Sequence, residues 1–255
     1  MPRRSTVKPY RWLAQYYDQL FSSWRFPIDA ARDHVLARIL PRVKTACDLA
    51  CGTGTTAVTL ARRGIQMYAV DVSPVMCRLA REKAARARLP VRVLRADMRH
   101  FRLPEGVDLI TCEYDAVNHL PHRADLRMVA KSVARALRPG GYFLFDVNNS
   151  LGFERYWSGA VWIEKPGLAV VMRNAHNREA DRAWSDVEWF IRDGMRWRRR
   201  HERVEEVCWN DDEIRRVLRD AGFNELRAWD AARFFKNPSL IHRGCRTMYL
   251  ASKQT

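Results

Sequence analysis

Long apolar runs and paired cysteines are both missing from this sequence. Its longest apolar runs, such as residues 141–147, are far too short to cross a bilayer, and the basic first segment, MPRRSTVKPYRW, lacks the apolar stretch of a signal peptide. The six cysteines are scattered without a Cys-x-x-Cys pair, at positions 47, 51, 77, 112, 208 and 245. These absences argue against a membrane span, a zinc knuckle and a disulfide framework. We therefore expect reduced thiols, no metal site, no membrane partner and a cytoplasmic location.

Acidic residues are scarce relative to basic ones, at 29 against 45, which gives a formal net charge of +16. Such an excess attracts nucleic acids, anionic membrane surfaces or acidic small molecules, and it does not choose among them. Most of the positive charge is arginine spread along the chain, as on a solvated surface. Six arginines nevertheless lie close together between Arg192 and Arg203, interleaved with Trp197.

Repeats, low-complexity tracts and flexible linkers are also absent from the 255 residues. A chain of this length can bury a substantial core as one domain with an embellishment, or as two small domains. Between residues 45 and 148, short apolar runs alternate with helical segments, which we place at 55–63, 74–87 and 123–137. This alternation predicts a parallel sheet with right-handed crossovers. The first 40 residues are predicted to be helical in two segments separated by Pro27.

The pattern changes after Asn149. Residues 161–209 lack helical periodicity and are rich in β-branched and aromatic residues, which predicts antiparallel strands with a hairpin turn at Asp193-Gly194. A helix that begins after the N-cap Asn210 and two strands, NELRAWD and RTMYLASK, follow at the end of the chain. We interpret the strand-rich piece as an insertion packed on an α/β core.

A glycine-rich turn follows the first predicted strand, in the stretch CDLACGTGTTAV. The spacing Gly52-x-Gly54-x-x-Ala57 fits a turn in which the backbone approaches a nucleotide cofactor and a helix N-terminus offers free N–H groups. Asp71, at the end of the second predicted strand, could bind the ribose hydroxyls of NAD or of S-adenosylmethionine equally well.

Two further carboxylates discriminate between these cofactors. Asp48 lies at the end of the first strand, just before the glycines, and Asp97 closes the third strand. A cofactor with two ribose hydroxyls, an adenine edge and an ammonium group needs acceptors, and carboxylates at three successive strand ends supply them. With these residues, the chain resembles class I S-adenosylmethionine-dependent methyltransferases over roughly residues 10–150 and the final strands.

The resemblance implies an α/β fold, a Rossmann-like seven-stranded methyltransferase sheet with an N-terminal helical lid and an antiparallel β insertion after strand five. It divides the chain into a lid (1–40), a cofactor-binding core (41–150), an acceptor-side insertion (151–209) and a final helix and strands that complete the core (210–255). It also implies S-adenosyl-L-methionine as cofactor and S-adenosyl-L-homocysteine as product.

By the same resemblance, Asp48 and the glycine turn wrap the amino-acid end of the cofactor, Asp71 binds both ribose hydroxyls, and Asp97 meets the adenine amino group. Ala50 stands where the family has its first glycine. The residues expected at the cofactor are Tyr17, Asp48, Ala50, Cys51, Gly52, Gly54, Asp71, Val72, Met76, Asp97, Met98, Glu113 and Tyr114.

The segment after strand four, TCEYDAVNHLPH, is where this fold usually meets the methyl group and its acceptor. It contains neither the Asn/Asp-Pro-Pro-aromatic motif of base-amino methylation nor the Pro-Cys nucleophile of cytosine C5 chemistry. Together with YYDQLF near the N-terminus, it is similar to small-molecule N-methyltransferases, including those that dimethylate amino sugars. That similarity aligns His119 with an acceptor-side histidine and Tyr16 or Tyr17 with lid aromatics near the methyl group.

Methyl transfer needs an aligned, unprotonated nucleophile and a way to dispose of a proton, and an imidazole suits the latter task near neutrality. We therefore expect His119, Tyr17 and Asp115 to be the catalytic residues. Glu113 is a second candidate to orient the imidazole or hold a cationic amine, unless it faces the cofactor instead.

Arg196, Arg198 and Arg200 share one face of an alternating strand, which suits a small-molecule acceptor that is anionic, although charge on an edge strand also defends against aggregation. The predicted function is methylation of a small molecule, on nitrogen in preference to oxygen. The alternatives are an RNA or protein methyltransferase that uses the basic surface, and a cofactor-binding protein without catalysis.

Overall fold

The computed structural model describes residues 13–234 and 241–254. Helix α1 (Leu13–Leu36) comes first, and strands then alternate with helices. In chain order these elements are β1 (Thr45–Leu49), α2 (Thr55–Ala61), β2 (Gln66–Asp71), α3 (Pro74–Arg86), β3 (Val91–Arg95), β4 (Val107–Cys112), α4 (Arg123–Ala136) and β5 (Leu137–Asn148). Short 3₁₀ helices form at Leu40–Arg42 and at Ala116–His119.

A short helix and four antiparallel strands follow the first five strands. They are α5 (Ser150–Tyr156), β6 (Gly159–Lys165), β7 (Leu168–Asn177), β8 (Arg182–Asp193) and β9 (Arg196–Val207). The described chain then continues through α6 (Asp211–Asp220), β10 (Phe223–Asp230), a 3₁₀ helix at Ala231–Phe234 and β11 (Arg246–Lys253).

The central sheet has seven strands in the order β10-β11-β5-β4-β1-β2-β3. Strands β1 to β5 are parallel, and β11 is antiparallel to both β5 and β10. This confirms the predicted Rossmann-like seven-stranded sheet with an antiparallel β insertion after strand five. Strand order reverses between β1 and β4, and ligands of open α/β sheets bind outside the carboxyl ends of the strands at such a switch point.

Alternate residues of the central strands face opposite layers of helices. On β5, Phe143 and Phe145 pack toward α4 and α6, whereas Leu144 packs toward α1, α2 and α3. All five residues of β1 are buried. Burial on both faces explains why these strands read as continuous apolar runs rather than as alternating patterns.

Helix α1 bridges the two sheets. Its later residues, such as Ile28 and Ala31, pack on the central sheet, whereas Leu20, Tyr16 and Tyr17 pack on the inner face of the four-stranded sheet around Trp189. The predicted break at Pro27 is wrong, because the helix runs through this residue. Proline removes one backbone hydrogen bond there, and burial of Pro27 and its neighbour Ile28 compensates for the loss. Residues 1–12 of the predicted lid lie outside the described residues.

Two local features of the insertion differ from the sequence-based expectation. Asp193 is the last residue of β8 and pairs with Arg196, so the hairpin loop is Gly194-Met195 rather than Asp193-Gly194. Gly194 has a φ of +60° at the first loop position, which a type II′ turn reserves for glycine. Helix α5 was not predicted, because seven residues are too few to display a helical period. No helix in the described part of the chain is long and apolar enough to cross a membrane.

Candidate active site

The glycine turn lies between β1 and α2, at the switch point of the sheet. Its residues Ala50, Gly52 and Gly54 have φ values of +56°, +53° and +78°. A Cβ at Gly54 would lie 2.8 Å from the Cβ of Ala80 on α3, whereas a Cβ at Gly52 would point into open space. Gly54 is therefore required for packing, and the backbone at Gly52 is accessible to a ligand.

Asp48 fixes the start of this turn through two hydrogen bonds. Its Oδ2 accepts a hydrogen bond from the Ala57 N–H at 3.1 Å, and its Oδ1 accepts one from the Thr111 hydroxyl at 3.2 Å. The residue is only 3% exposed, and burial raises the pKa of its carboxyl to about 6. These bonds join β1 to α2 and β4 at the point where the turn begins.

Asp71 connects the turn to the end of β2. Its Oδ2 accepts the Gly52 N–H at 2.9 Å and its Oδ1 accepts the Ser73 N–H at 2.8 Å. The next residue, Val72, leaves 44% of its surface exposed, whereas Met76 and Cys51 are buried in the core. A polar edge at Asp71 thus adjoins an exposed apolar side chain, as an adenosine site requires.

Asp97 lies just beyond β3 and is paired with Arg99. The guanidinium donates from Nε to Oδ1 at 3.0 Å and from Nη2 to Oδ2 at 2.6 Å. Burial alone would raise the pKa of Asp97, but the Arg99 hydrogen bonds and charge hold it below its ordinary value. Met98 is half-buried against the core on the same loop. The Asp97 carboxylate is therefore ionised at neutral pH and presented on a fixed geometry.

Arg25 and Glu113 each leave one buried polar atom without a hydrogen-bond partner. Arg25 reaches from α1 to the Thr56 hydroxyl at 3.1 Å, and its guanidinium carbon lies 4.3 Å from the Tyr114 ring centroid, yet its Nε has no partner. Glu113 accepts a hydrogen bond from Arg32 on Oε2 at 3.2 Å, while Oε1 is unpartnered. Burial raises the pKa of Glu113 to about 7, and Arg32 acts against that rise.

The segment after β4 adopts a strained backbone turn. Tyr114 and Asp115 have φ values of +60° and +52°, which non-glycine residues rarely adopt. Their N–H groups donate to the two carboxylate oxygens of the fully buried Asp146, at 2.7 and 3.1 Å. Asp146 on β5 thereby holds the turn and orients the Asp115 side chain.

A network of side chains surrounds Asp115. Its Oδ2 accepts hydrogen bonds from Arg246 Nη2 at 3.0 Å and from Asn148 Nδ2 at 2.5 Å. Arg246 also pairs with Asp146, and Asn148 Nδ2 also donates to Glu206 Oε2 at 3.2 Å. The ends of β5, β9 and β11 therefore meet at the loop that follows β4.

His119 closes this network on the acceptor side. Its Nδ1 lies 3.2 Å from the backbone carbonyl of Glu205, which can only accept, so Nδ1 carries the proton and Nε2 carries the lone pair. Nε2 lies 3.7 Å from Oε1 of Glu206. Burial lowers the pKa of His119, and the Asp115 charge acts in the opposite direction. The imidazole is therefore neutral at neutral pH and able to accept a proton.

Tyr17 lies between the residues around Arg25 and the network around Asp115, because its phenol interacts with the charges of both Asp115 and Arg25. Burial raises the pKa of Tyr17 to about 12, with a further contribution from Asp115. The phenol therefore stays protonated at neutral pH. It can donate a hydrogen bond, but it is unsuited to act as a base.

Among the described residues, Asp115, His119 and Glu206 place their ligand atoms within 4.8 Å of one another. This spacing would also suit a metal ion, but Asp115 Oδ2 already accepts from two donors, one of them the guanidinium of Arg246. Asn148 Nδ2 also donates to Glu206 Oε2, so N–H donors already occupy oxygens of two of the three residues. The donor set fits a polar organic group better than a metal.

The arginines of the insertion divide between its two faces. Arg199 and Arg203 lie on the outer face, where they pair with Glu188 at 2.7 Å and Asp186 at 2.6 Å. Arg198 and Arg200 stand opposite Ile191 and Trp189 on the inner face, and Arg198 pairs with Asp193. The positive charges of Arg198, Arg199 and Arg203 are therefore balanced by neighbouring carboxylates of the same sheet.

Comparisons with known proteins agree with this geometry. A family model described as a methyltransferase domain matches residues 46–141. Residues 46–141 are therefore similar to methyltransferase domains. YqeM of Bacillus subtilis, named as a methyltransferase, is 27% identical over 216 residues, which cover 84% of this chain and 86% of that protein.

Two solved structures extend the comparison beyond this methyltransferase domain. A S-adenosylmethionine-dependent methyltransferase from Clostridium acetobutylicum has the same fold, with a TM-score of 0.79, 23% identity, and coverage of 96% of this chain and 99% of that one. CalS10, an amino pentose methyltransferase of Micromonospora echinaspora solved with S-adenosylmethionine bound, has a TM-score of 0.69, 25% identity, and coverage of 91% and 92%. The predicted enzyme class and cofactor, a methyltransferase that uses S-adenosylmethionine, are confirmed.

The structure places the predicted site residues at the carboxyl ends of β1 to β4 and in the segments that follow them, with Tyr17 on α1, and it adds residues that the sequence did not single out. These are Arg25, Arg99, Asp146, Asn148, Glu206 and Arg246. Arg25 lies in the predicted lid helix and Arg99 lies two residues after Asp97. Both are therefore in segments that the sequence already marks as part of the site. The other four lie in strands, where a polar residue facing inward is indistinguishable by sequence from one facing solvent.

Proposed function

We propose that this chain transfers a methyl group from S-adenosylmethionine to an amino nitrogen of a small molecule. The observation that carries the proposal is the neutral His119, whose Nε2 lies 3.7 Å from the buried Glu206 carboxyl, at the same edge of the central sheet as the glycine turn. An amine must shed a proton around methyl transfer, and a neutral imidazole in a buried acidic pocket can receive it. CalS10, an amino pentose methyltransferase, supports a nitrogen acceptor by its similarity.

The residues present fit the cofactor. The unpartnered Arg25 Nε and Glu113 Oε1 are suited to the carboxylate and the ammonium of its amino-acid end. Asp71 is suited to the ribose hydroxyls, and Asp97 with Val72 to the adenine edge and face. We assign the remaining predicted residues to the wall of this site. When bound, the cofactor supplies a methyl group on a positively charged sulfur.

The chain's own residues then have distinct tasks. Helix α1 covers the cleft and excludes water through Tyr17, whose protonated phenol can donate a hydrogen bond. His119 receives a proton at Nε2, and the carbonyl of Glu205 holds the ring in the tautomer that leaves this atom basic. Asp115, fixed by Asn148 and Arg246, positions the surrounding network rather than touching the reacting atoms.

An anionic group on the acceptor would be bound near Arg200. This residue stands six positions before Glu206 on the same face of β9, which corresponds to about 20 Å of strand. Arg196 is four residues further away. Only an acceptor extended over about this distance could place its amine at His119 and a negative group at Arg200. We propose that it reaches no further along β9 than Arg200. The cytoplasmic location also remains a prediction.

A transfer assay tests the proposal. The protein is incubated with methyl-labelled S-adenosylmethionine and matched pairs of small molecules that differ only in an amino or a hydroxyl group, and products are identified by mass spectrometry. We expect label in amino members only, and less of it with Asp71→Ala at cofactor concentrations that just saturate the wild type. Label confined to hydroxyl members, to added RNA or to added protein would contradict the proposal.

A further inference from the structure

We propose that His119, Glu206 and Asn148 form an ammonium-binding site that takes the acceptor's amine in its protonated form and removes one proton before methyl transfer. This inference rests on the proposed function, because it names the state in which the acceptor binds. Glu206 comes from the inserted sheet, and neither the glycine motif nor the segment after β4 contains it.

The distances suit a single nitrogen donor. His119 Nε2 and Glu206 Oε1 are 3.7 Å apart, which is too long for a direct hydrogen bond but short enough for one nitrogen to donate to both. Asn148 adds a third acceptor, because its Oδ1 is buried and has no hydrogen-bond partner, while its Nδ2 donates to Asp115 and Glu206. A protonated primary amine has three N–H bonds, so it can donate to both His119 Nε2 and Glu206 Oε1 and keep one N–H for a further acceptor such as Asn148 Oδ1.

The charge of the pocket favours a cation. Three carboxyl groups meet there, Asp115, Asp146 and Glu206, against the single guanidinium of Arg246. The Tyr17 phenol faces the same charges from α1 and stays neutral. Glu206 is 3% exposed, so its carboxyl is shielded from water, and a cation placed beside it would be attracted strongly. Burial and the Asp115 charge raise the pKa of Glu206, and a bound cation would lower it again.

The position of Glu206 is fixed by the junction of the two sheets. Asn118 Nδ2 donates to the carbonyls of Val207 on β9 and Asn148 on β5, at 2.8 and 3.0 Å. Asn118 Oδ1 in turn accepts the Asn148 N–H at 3.0 Å. The end of the inserted strand is thereby clamped to the end of β5, which keeps Glu206 beside His119 whether or not an acceptor is present.

The proton transfer is simple to balance. One N–H bond of the bound ammonium breaks, its electron pair stays on nitrogen, and the proton passes to Nε2 of His119. Rotation of the amine about its C–N bond then turns this lone pair from His119 toward the methyl group. The positive charge that arrives with the ammonium favours the ionised form of Glu206, and this carboxylate in turn stabilises the imidazolium that results. The proton leaves to water after the product departs, so the site returns to its starting state.

The pKa of His119 tests this arrangement without turnover. The ring nitrogens of the protein labelled with ¹⁵N-histidine are followed by NMR over pH, and the His119 signals are assigned by their absence in His119→Gln. We expect Glu206→Gln to lower the His119 pKa by about 1 to 3 units, because the carboxylate that stabilises the imidazolium is gone. Glu164→Gln, an exposed carboxylate of the same sheet, is the matched control and should change nothing. An unaltered His119 pKa in a folded Glu206→Gln protein would overturn the proposal.

Added amines test the binding site itself. Methylammonium should shift the His119 Nε2 signal of the wild type in a saturable way, and tetramethylammonium, which has no N–H, should not. Glu206→Gln should weaken the methylammonium effect at least about 5-fold, the cost of one lost charged hydrogen bond. Equal responses to both cations would contradict the site. Glu206→Asp replaces the variant if Glu206→Gln fails to fold. If these NMR results hold while no amine is ever methylated, the proposed function fails and the ammonium site stands.

Discussion

The two sides of the cleft are built in different ways. On the cofactor side, Asp48, Asp71 and Asp97 lie at or just beyond the ends of three consecutive strands, and the first two accept hydrogen bonds from nearby backbone N–H groups. On the acceptor side, the functional side chains come from segments far apart in the sequence, at positions 115, 119, 148, 206 and 246. Residues that bind a cofactor shared by many enzymes lie in local motifs, whereas residues that bind the acceptor are brought together only by the tertiary fold.

The two sides also differ in their charges. Both sides leave buried polar atoms without hydrogen-bond partners, Arg25 Nε and Glu113 Oε1 on the cofactor side and Asn148 Oδ1 on the acceptor side. On the acceptor side, Arg246 is paired with two carboxylates, Asp115 and Asp146, in a low-dielectric environment. Substitution of Arg246 should therefore affect stability as well as activity, whereas substitution of Asp71 should mainly affect cofactor affinity.

The largest effect should come from Arg246→Met. It leaves Asp115 and Asp146 buried without their cation, and breaking a buried ion pair in this way costs about 3–5 kcal/mol of the free energy of unfolding. Urea unfolding measures the loss. Arg227→Met is the control, because Arg227 and Glu225 are 69% and 70% exposed and such pairs contribute about 1 kcal/mol or less. Equal losses in the two variants would remove the proposed difference between the two sides.

His119→Ala should lower the turnover number about 10²-fold, the usual contribution of a positioned base. The base works only when neutral, and burial lowers its pKa below the ordinary value of 6.5. The wild-type rate should therefore hold at neutral pH and fall as the pH drops through that lowered pKa, and the acid limb should vanish in the variant. His201→Ala, on the outer face beside Asp186, is the control. A normal rate and pH profile in a folded His119→Ala protein would make it a structural loop residue.

Asp71→Ala should weaken the binding of S-adenosylmethionine or S-adenosylhomocysteine by about 1–3 kcal/mol, through lost charge-assisted hydrogen bonds. Calorimetry measures the change in affinity. Asp186→Ala removes a carboxylate from the outer face of the insertion and should leave cofactor affinity unchanged. Tighter binding of NAD than of either sulfur compound would contradict the cofactor assignment.

The smallest effect should come from the inner-face arginines. Replacing Arg196, Arg198 and Arg200 together by Gln should raise the Michaelis constant for an anionic acceptor about 5-fold or less, without changing cofactor affinity. Arg200→Gln alone should reproduce most of that rise, because Arg196 lies about 33 Å of strand from Glu206. An equal contribution from Arg196→Gln would show that the acceptor extends further along β9 than we propose.

The sequence by itself determined the parallel core, the glycine turn and the three strand-end carboxylates, because these depend on spacing within segments of a few residues. The same local reasoning was wrong where packing decides the outcome, as at Pro27, which burial keeps inside α1, and at Asp193, which the register of β8 and β9 removes from the loop. Only the tertiary structure brought Glu206, Asn148 and Arg246 to His119. The spacing of these residues in the sequence does not predict that they meet. The order of the strands and the hydrogen bonds of Asn118, rather than any short motif, bring these side chains together.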